Sequence, residues 1–144
     1  MTVYFDYLSS HEVMLMVYKG RSTNQQQLTL FRKISEEFGV GPFTNSVSDL
    51  SELVATEMTS ADMFSQSSMV KATLAAYTVP IKQALFAPTE ISYGISRMYM
   101  GFADLSPKLK IRIFDDLQAA VEWVGIPGQA ETLFGERDWH VVHD

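Results

Sequence analysis

The sequence predicts an α/β domain built on a mixed, mostly parallel sheet, and three observations carry that prediction. Short apolar runs alternate with helical stripes in the order β-β-α-β-α-β-α-β-α. The stretch Leu85–Val124 alone reads as two successive β-α units. Two strands at the N-terminus, separated by four turn-forming residues, add an antiparallel hairpin that makes the sheet mixed.

Each element has its own signal. Val3–Leu8 and Val13–Tyr18 are rich in aromatic and β-branched residues and flank Ser9-Ser10-His11-Glu12. The second of them puts Met14 and Met16 on one face and Val13, Leu15 and Val17 on the other, so it belongs inside the sheet. Ser22 or Thr23, with Gln25 or Gln26 three positions on, caps a first helix. Leu28, Phe31, Ile34 and Phe38 form its stripe, and Gly39, Gly41 and Pro42 end it. Phe43–Leu50 is a weaker, more polar strand, followed by a loop over Ser51–Met58. Thr59 and Ser60 open a second helix, with Met63, Val70, Leu74 and Tyr77 on one side, and Val79-Pro80 closes it. Gln83–Ala87 is a short apolar strand. Pro88-Thr89 starts a third helix, with Ile91, Ile95, Met98 and Phe102 as its stripe, broken at Ser106-Pro107. Leu109–Phe114 alternates as a strand with one wet face, Asp115 caps the last helix (Leu117, Val121, Val124), and Gly125 ends it. Residues 1–125 thus make the domain, and residues 126–144 a tail docked in part through Leu133, Phe134 and Trp139.

Composition limits the function. A chain of 144 residues with 47% apolar and 19% charged residues suits one globular core. The net charge of −6, with no basic cluster beyond Lys108, Lys110 and Arg112, argues against nucleic-acid binding. The absence of cysteine excludes disulfides, cysteine-held zinc and thiol nucleophiles, and suits the cytoplasm. No signal-peptide pattern opens the chain, and no apolar run reaches the roughly 18 residues of a membrane span.

The residues Ala87-Pro88, Tyr93-Gly94, Arg97-Met98-Tyr99, Ile111-Arg112-Ile113-Phe114 and Ala119-Ala120-Val121-Glu122-Trp123-Val124 form a pattern. On it, the chain resembles the SpoIIAA-like group of STAS domains, above all its small bacterial STAS-like proteins, over roughly residues 1–125. More distantly it is similar to anti-sigma-factor antagonists. That resemblance implies a SpoIIAA-like fold and a protein-interaction role. In antagonists a strand ends in an Asp-Leu-Ser-like turn and a phosphorylatable Ser or Thr starts the next helix. Here the matching residues are Asp49-Leu50-Ser51 and Met58-Thr59-Ser60-Ala61, with Ser60 nearest the switch position and Thr59 beside it. Where antagonists read Asp-Ser-Ser-Gly, this chain reads Thr-Ser-Ala-Asp.

The remaining candidates have plain structural readings beside their functional ones. Thr59 and Asp62 suit a helix cap as well as a phosphorylation switch. Tyr93 and Arg97, one turn apart, can stack or present a cation to a partner. Met58, Met63, Met69, Met98 and Met100 either fill a core or line an adaptable apolar pocket. His140 and His143, near Asp138 and Asp144, have the ligand types of a mixed metal site but sit in a tail where solvated histidines are commoner. The carboxylate pairs Glu36-Glu37 and Asp115-Asp116 lie at helix ends, and no nucleophile elbow, phosphate loop or zinc-protease motif occurs. The sequence therefore points to a non-catalytic binding or regulatory module without cofactor or metal. Three versions follow: a protein-interaction switch using Asp49, Ser51, Ser60, Thr59, Tyr93 and Arg97; a carrier or sensor of a small apolar or lipid-like ligand; and a homodimer formed through an exposed helix or the tail.

Overall fold

The structure, a computed structural model, describes residues 1–40, 44–103 and 107–143. Gly41, Pro42, Phe43, Ser106 and Asp144, each given a role above, lie outside the described residues. The chain runs β1 (Thr2–Leu8), β2 (Val13–Ser22), α1 (Asn24–Phe38), β3 (Asn45–Thr56), α2 (Ser60–Leu74), β4 (Ile81–Phe86), α3 (Glu90–Ala103), β5 (Leu109–Phe114), α4 (Leu117–Val124), α5 (Ala130–Leu133) and β6 (His140–Val142). The strands form one sheet in the order β5-β4-β3-β2-β1-β6. Strands β2 to β5 are mutually parallel, and β1 runs antiparallel to both β2 and β6.

The two faces of β2 fix the layering. Met14, Met16 and Tyr18 belong to a core with Leu30 and Ile34 of α1 and Ile95 and Tyr99 of α3. Val13 and Leu15 point the other way, toward Ala120 and Val121 of α4 and Ala130 of α5. Val70 and Leu74 of α2 join Phe31, Ile81 and Leu109 on the first face. Helices α1 to α3 therefore cover one side, and α4 with α5 the other. No helix among the described residues is long and apolar enough to cross a membrane.

Side-chain caps set the helix starts, each worth about 1 kcal/mol. Thr23 accepts from the Gln26 N–H at 3.2 Å. Thr59 accepts from the Asp62 N–H at 3.1 Å, and Asp62 returns the bond to the Thr59 N–H at 2.9 Å. In α4 the cap is Asp116, bonded to the Ala119 N–H at 3.1 Å, rather than Asp115. Gly39 and Gly125 end α1 and α4 with φ of 65° and 93°, a backbone region that costs glycine little.

Four further expectations need correction. First, β3 continues to Thr56, so Ser51–Thr56 is strand and not loop. Its partner β2 is equally long, pairing Lys19 with Glu52 and Ser22 with Thr56, and a 3.2 Å Lys19–Glu52 ion pair crosses between them. Two register shifts along this pairing break the period of two by which a strand is recognised. Asp49 and Ser51 consequently lie within an interior strand, not at a turn. Second, α1 buries Leu30 and Ile34 while Leu28 faces outward. The row Leu30–Ile34–Phe38, at four-residue steps, displaces the one begun at Leu28.

Third, α3 turns Ser92 and Ser96 fully inward and leaves Ile91 and Met98 exposed. Small side chains let this helix lie close against the sheet, which its larger ones would prevent. Fourth, the tail supplies a strand: β6 pairs Val142 with Val3 and His140 with Phe5. Arg137 secures it, its Nε donating to Asp6 Oδ2 at 2.8 Å and its Nη1 to the Leu133 carbonyl at 2.6 Å. Trp139 Nε1 donates to the Gly135 carbonyl, and Leu133, Phe134 and Trp139 pack against the α4-side core.

Candidate functional site

Two layers facing each other with small residues leave space, and this occurs on the α1–α3 side. The alternation of β3 points Ser46 and Ser48 to that side and Val47 to the other. Cross-strand pairing sets Met16, Ser48 and Leu85 in one row and Met14, Ser46 and Gln83 in the next. The middle of each row is thus a serine where a larger apolar residue would fill the core. Above them, α3 contributes Ser96, another small residue. The result is a cavity of about 120 Å³ between sheet and helices.

Its walls are largely apolar. Phe31 and Ile34 come from α1, Met63 and Val70 from α2, and Ile95 and Tyr99 from α3. Helix α2 packs chiefly on α3, and its Met63, Gln66 and Val70 line the space. At the carboxyl ends of β2 and β3 the lining becomes polar. Ser22 Oγ donates to Thr56 Oγ1 at 2.7 Å, and the Glu57 N–H donates to the Ser22 carbonyl at 2.7 Å. Gln66 Nε2 donates to Asn24 Oδ1 at 2.8 Å, tying α2 to the start of α1.

The interior polar groups differ in how they are satisfied. Tyr99 Oη donates to Gln83 Oε1 at 2.9 Å, and Tyr18 Oη lies 3.2 Å from Gln27 Nε2. Burial pushes the Tyr18 phenol up to about 12, with the Gln27 bond opposing. The Tyr99 phenol is raised further, by burial first and by the neighbouring Tyr18 second, with the Gln83 bond opposing. Both rings stay neutral at ordinary pH. Ser96 is different. Only 1% exposed, its hydroxyl finds no hydrogen-bond partner among the described residues. The Ser92 hydroxyl, one turn earlier, sits 2.7 Å from Thr89 Oγ1.

The residues singled out from sequence do not converge on this cavity. Thr59 and Ser60 are exposed at the start of α2, with Thr59 engaged in the capping box. Asp49 shares its side of β3 with Val47, away from the cavity, and accepts from the Ser51 N–H and hydroxyl at 2.9 and 2.7 Å. Tyr93 and Arg97 are exposed on the outer face of α3, and Arg97 is in none of the cation–ring contacts. Of the methionines expected around a pocket, Met58 and Met63 line it together with Met16, whereas Met69 and Met98 are exposed.

The tail histidines are separated by their contacts. His140 lies against the Phe5 and Phe38 rings and 3.7 Å from Glu37, and His143 Nδ1 is 3.5 Å from Thr2 Oγ1. Sequence reasoning missed Tyr18, Gln27, Gln83, Ser46, Ser48 and Ser96. The alternating Ser46-Val47-Ser48 was the available signal, since it places two small residues on one face of a central strand.

No protein-family model matches the sequence, and no curated protein does. Among solved structures, the chain is similar to an uncharacterised protein of the DUF3478 family with a SpoIIAA-like fold from Shewanella loihica PV-4. The two share 15% identity with a TM-score of 0.54, over 85% of this chain and 91% of that one. The architecture is therefore SpoIIAA-like, as the resemblance implies.

Proposed function

We propose that this protein is a non-catalytic, cytoplasmic binding module whose cavity beneath α2 takes a small molecule. One observation supports the reading above the rest: Ser46 and Ser48 of β3 and Ser96 of α3 line a space with apolar walls that runs on to Ser22 and Thr56 at the carboxyl ends of the parallel strands β2 and β3. Ligand sites in α/β folds favour that end of the sheet, and they combine apolar lining with a few convergent polar groups. The half-open space of about 120 Å³ favours a compact ligand over a whole acyl chain, since sites for drug-sized molecules usually measure about 300–1,000 Å³.

Native mass spectrometry of the protein isolated from its own cells tests this. A small bound mass, absent from the cavity-filling variant Ser48→Leu, is the expected result. A bare protein whose cavity amides also ignore a panel of small neutral compounds in NMR titration would overturn it.

A second reading, the interaction switch, is favoured by the exposure of Ser60 immediately after the Thr59 cap. A phosphate there would add about −1.5 to −2 charges on the helix whose next turn, at Met63, walls the cavity. Peptide mapping of the native protein decides: an unmodified Met58–Lys71 region removes the switch.

A further inference from the structure

We infer that the sheet floor of this cavity, through Ser46, Ser48 and Gln83, takes the carbonyl oxygen of an uncharged ligand, with a carboxamide as the best-matched group. The inference deepens the binding reading above and rests on it.

Strand register brings the three side chains together. Ser46 and Ser48 lie on one face of β3, about 7 Å apart along the strand. Gln83 of β4 pairs directly with Ser46, one strand spacing of about 5 Å away. The serines are only 3% and 4% exposed, yet neither hydroxyl has a hydrogen-bond partner among the described residues. The Ser96 hydroxyl is closed off, whereas those of Ser46 and Ser48 remain open to the space they line. Gln83 accepts from Tyr99 Oη through its Oε1, and its Nε2 donates to no described residue. The floor therefore holds two hydroxyls and one amide nitrogen with hydrogens to give.

Most other polar groups of the lining are engaged with one another. Tyr18 is bonded to Gln27, and Ser22 donates to Thr56, which also accepts from the Met58 N–H. On the α2 wall, Gln66 donates through Nε2 to Asn24, and its Oε1 has no partner among the described residues. Donors on the floor and an acceptor on a wall match the two ends of a carboxamide, whose oxygen accepts and whose nitrogen donates.

Charge then separates the carboxamide from the carboxylate of the same shape. Among the described residues that line the cavity there is no Asp, Glu, Lys, Arg or His. The ionisable groups present are the phenols of Tyr18 and Tyr99, which burial keeps protonated. A carboxylate would give up its hydration here without meeting a cation, in a chain whose net charge is already −6.

Matched pairs of probes test this. Acetamide, butyramide and benzamide are each compared with acetate, butyrate and benzoate in NMR titrations that follow the backbone amides of Ser46, Ser48 and Gln83. At least one amide should bind, and about tenfold or more tightly than its carboxylate. Ser46→Ala and Ser48→Ala should each weaken that amide about three- to tenfold. Ser96→Ala, which leaves the floor intact, should bind it as the wild type does. Amide spectra unchanged away from the cavity show that each variant keeps the fold. A carboxylate that binds as tightly as its amide would overturn the inference on charge. An amide held equally by wild type, Ser46→Ala and Ser48→Ala would overturn it on the floor contacts. Either result leaves the cavity a binding site. If none of these compounds shifts a floor amide, the binding reading itself falls, and the inference with it.

Discussion

Replacing Ser96 by alanine should make the unliganded protein more stable, which is the reverse of the usual effect of altering a buried residue. The side chain is 1% exposed and its hydroxyl has no partner among the described residues, so the substitution breaks no hydrogen bond. It removes a desolvated polar group whose burial costs about 1–3 kcal/mol. It also places the best helix former in mid-helix, worth up to a further ~0.5 kcal/mol. The loss of contact from one small atom offsets part of this, leaving a net gain of about 1–2 kcal/mol. For a chain of this length that raises Tm by about 3–8 °C. Ser92→Ala is the internal control. It lies one turn away on the same helix and is equally buried, but its hydroxyl is bonded to Thr89 at 2.7 Å and to the Thr89 N–H at 3.2 Å. There the same chemical change should cost about 1 kcal/mol. Urea unfolding followed by circular dichroism, with midpoint and slope compared across the three proteins, gives both signs in one experiment. A Ser96→Ala midpoint equal to or below wild type would refute the reasoning.

Arg137→Ala should loosen the tail without unfolding the core, because it removes the bonds to Asp6 and the Leu133 carbonyl together. Since that pair is about one-fifth exposed, the expected cost is only about 1–2 kcal/mol, visible as faster hydrogen exchange at Val141 and Val142. Thr59→Ala should cost about 1 kcal/mol through the lost capping box and fray the start of α2, read from the same exchange experiment. Alkaline pH should destabilise the fold. With the Tyr18 pKa raised from 10.0 to about 12, the unfolded phenol ionises first, so stability present below pH 10 drains away as pH climbs toward 12. Tyr18→Phe should flatten that decline, as followed by tyrosinate absorbance alongside unfolding.

The order of the first nine elements was legible because each carried its own period, cap or breaker, from the Met14–Met16 face to Gly125. What escaped did so for physical reasons. Strand β3 hides its length because its register against β2 slips twice, and a period of two does not survive a slip. Helix α3 misleads any reading that equates apolar with buried: Ile91 and Met98 face outward so that Ser92 and Ser96 can approach the sheet. Strand β6 spans three residues beyond a stretch of Pro127, Gly128 and Gly135, too short for periodicity to register. The cavity was half legible. Met58 and Met63 were named for it, but its defining residues are serines, and an absence of bulk leaves little mark in a sequence.

The strand added by the tail also bears on how the chain reaches this state. Asp6 and Arg137 are 131 residues apart, so the β1–β6 contact closes one of the longest loops in the molecule and has little entropic reason to form early. Until it does, β1 stands with one row of backbone groups unpaired while the other pairs with β2 through the hairpin. That waiting edge does not distinguish its own tail from the tail of another chain. In concentrated refolding mixtures the two would compete, and an exchanged pair would keep the β1–β6 pairing and the Arg137–Asp6 bond. Concentration during refolding would then set how often copies of this protein become entangled.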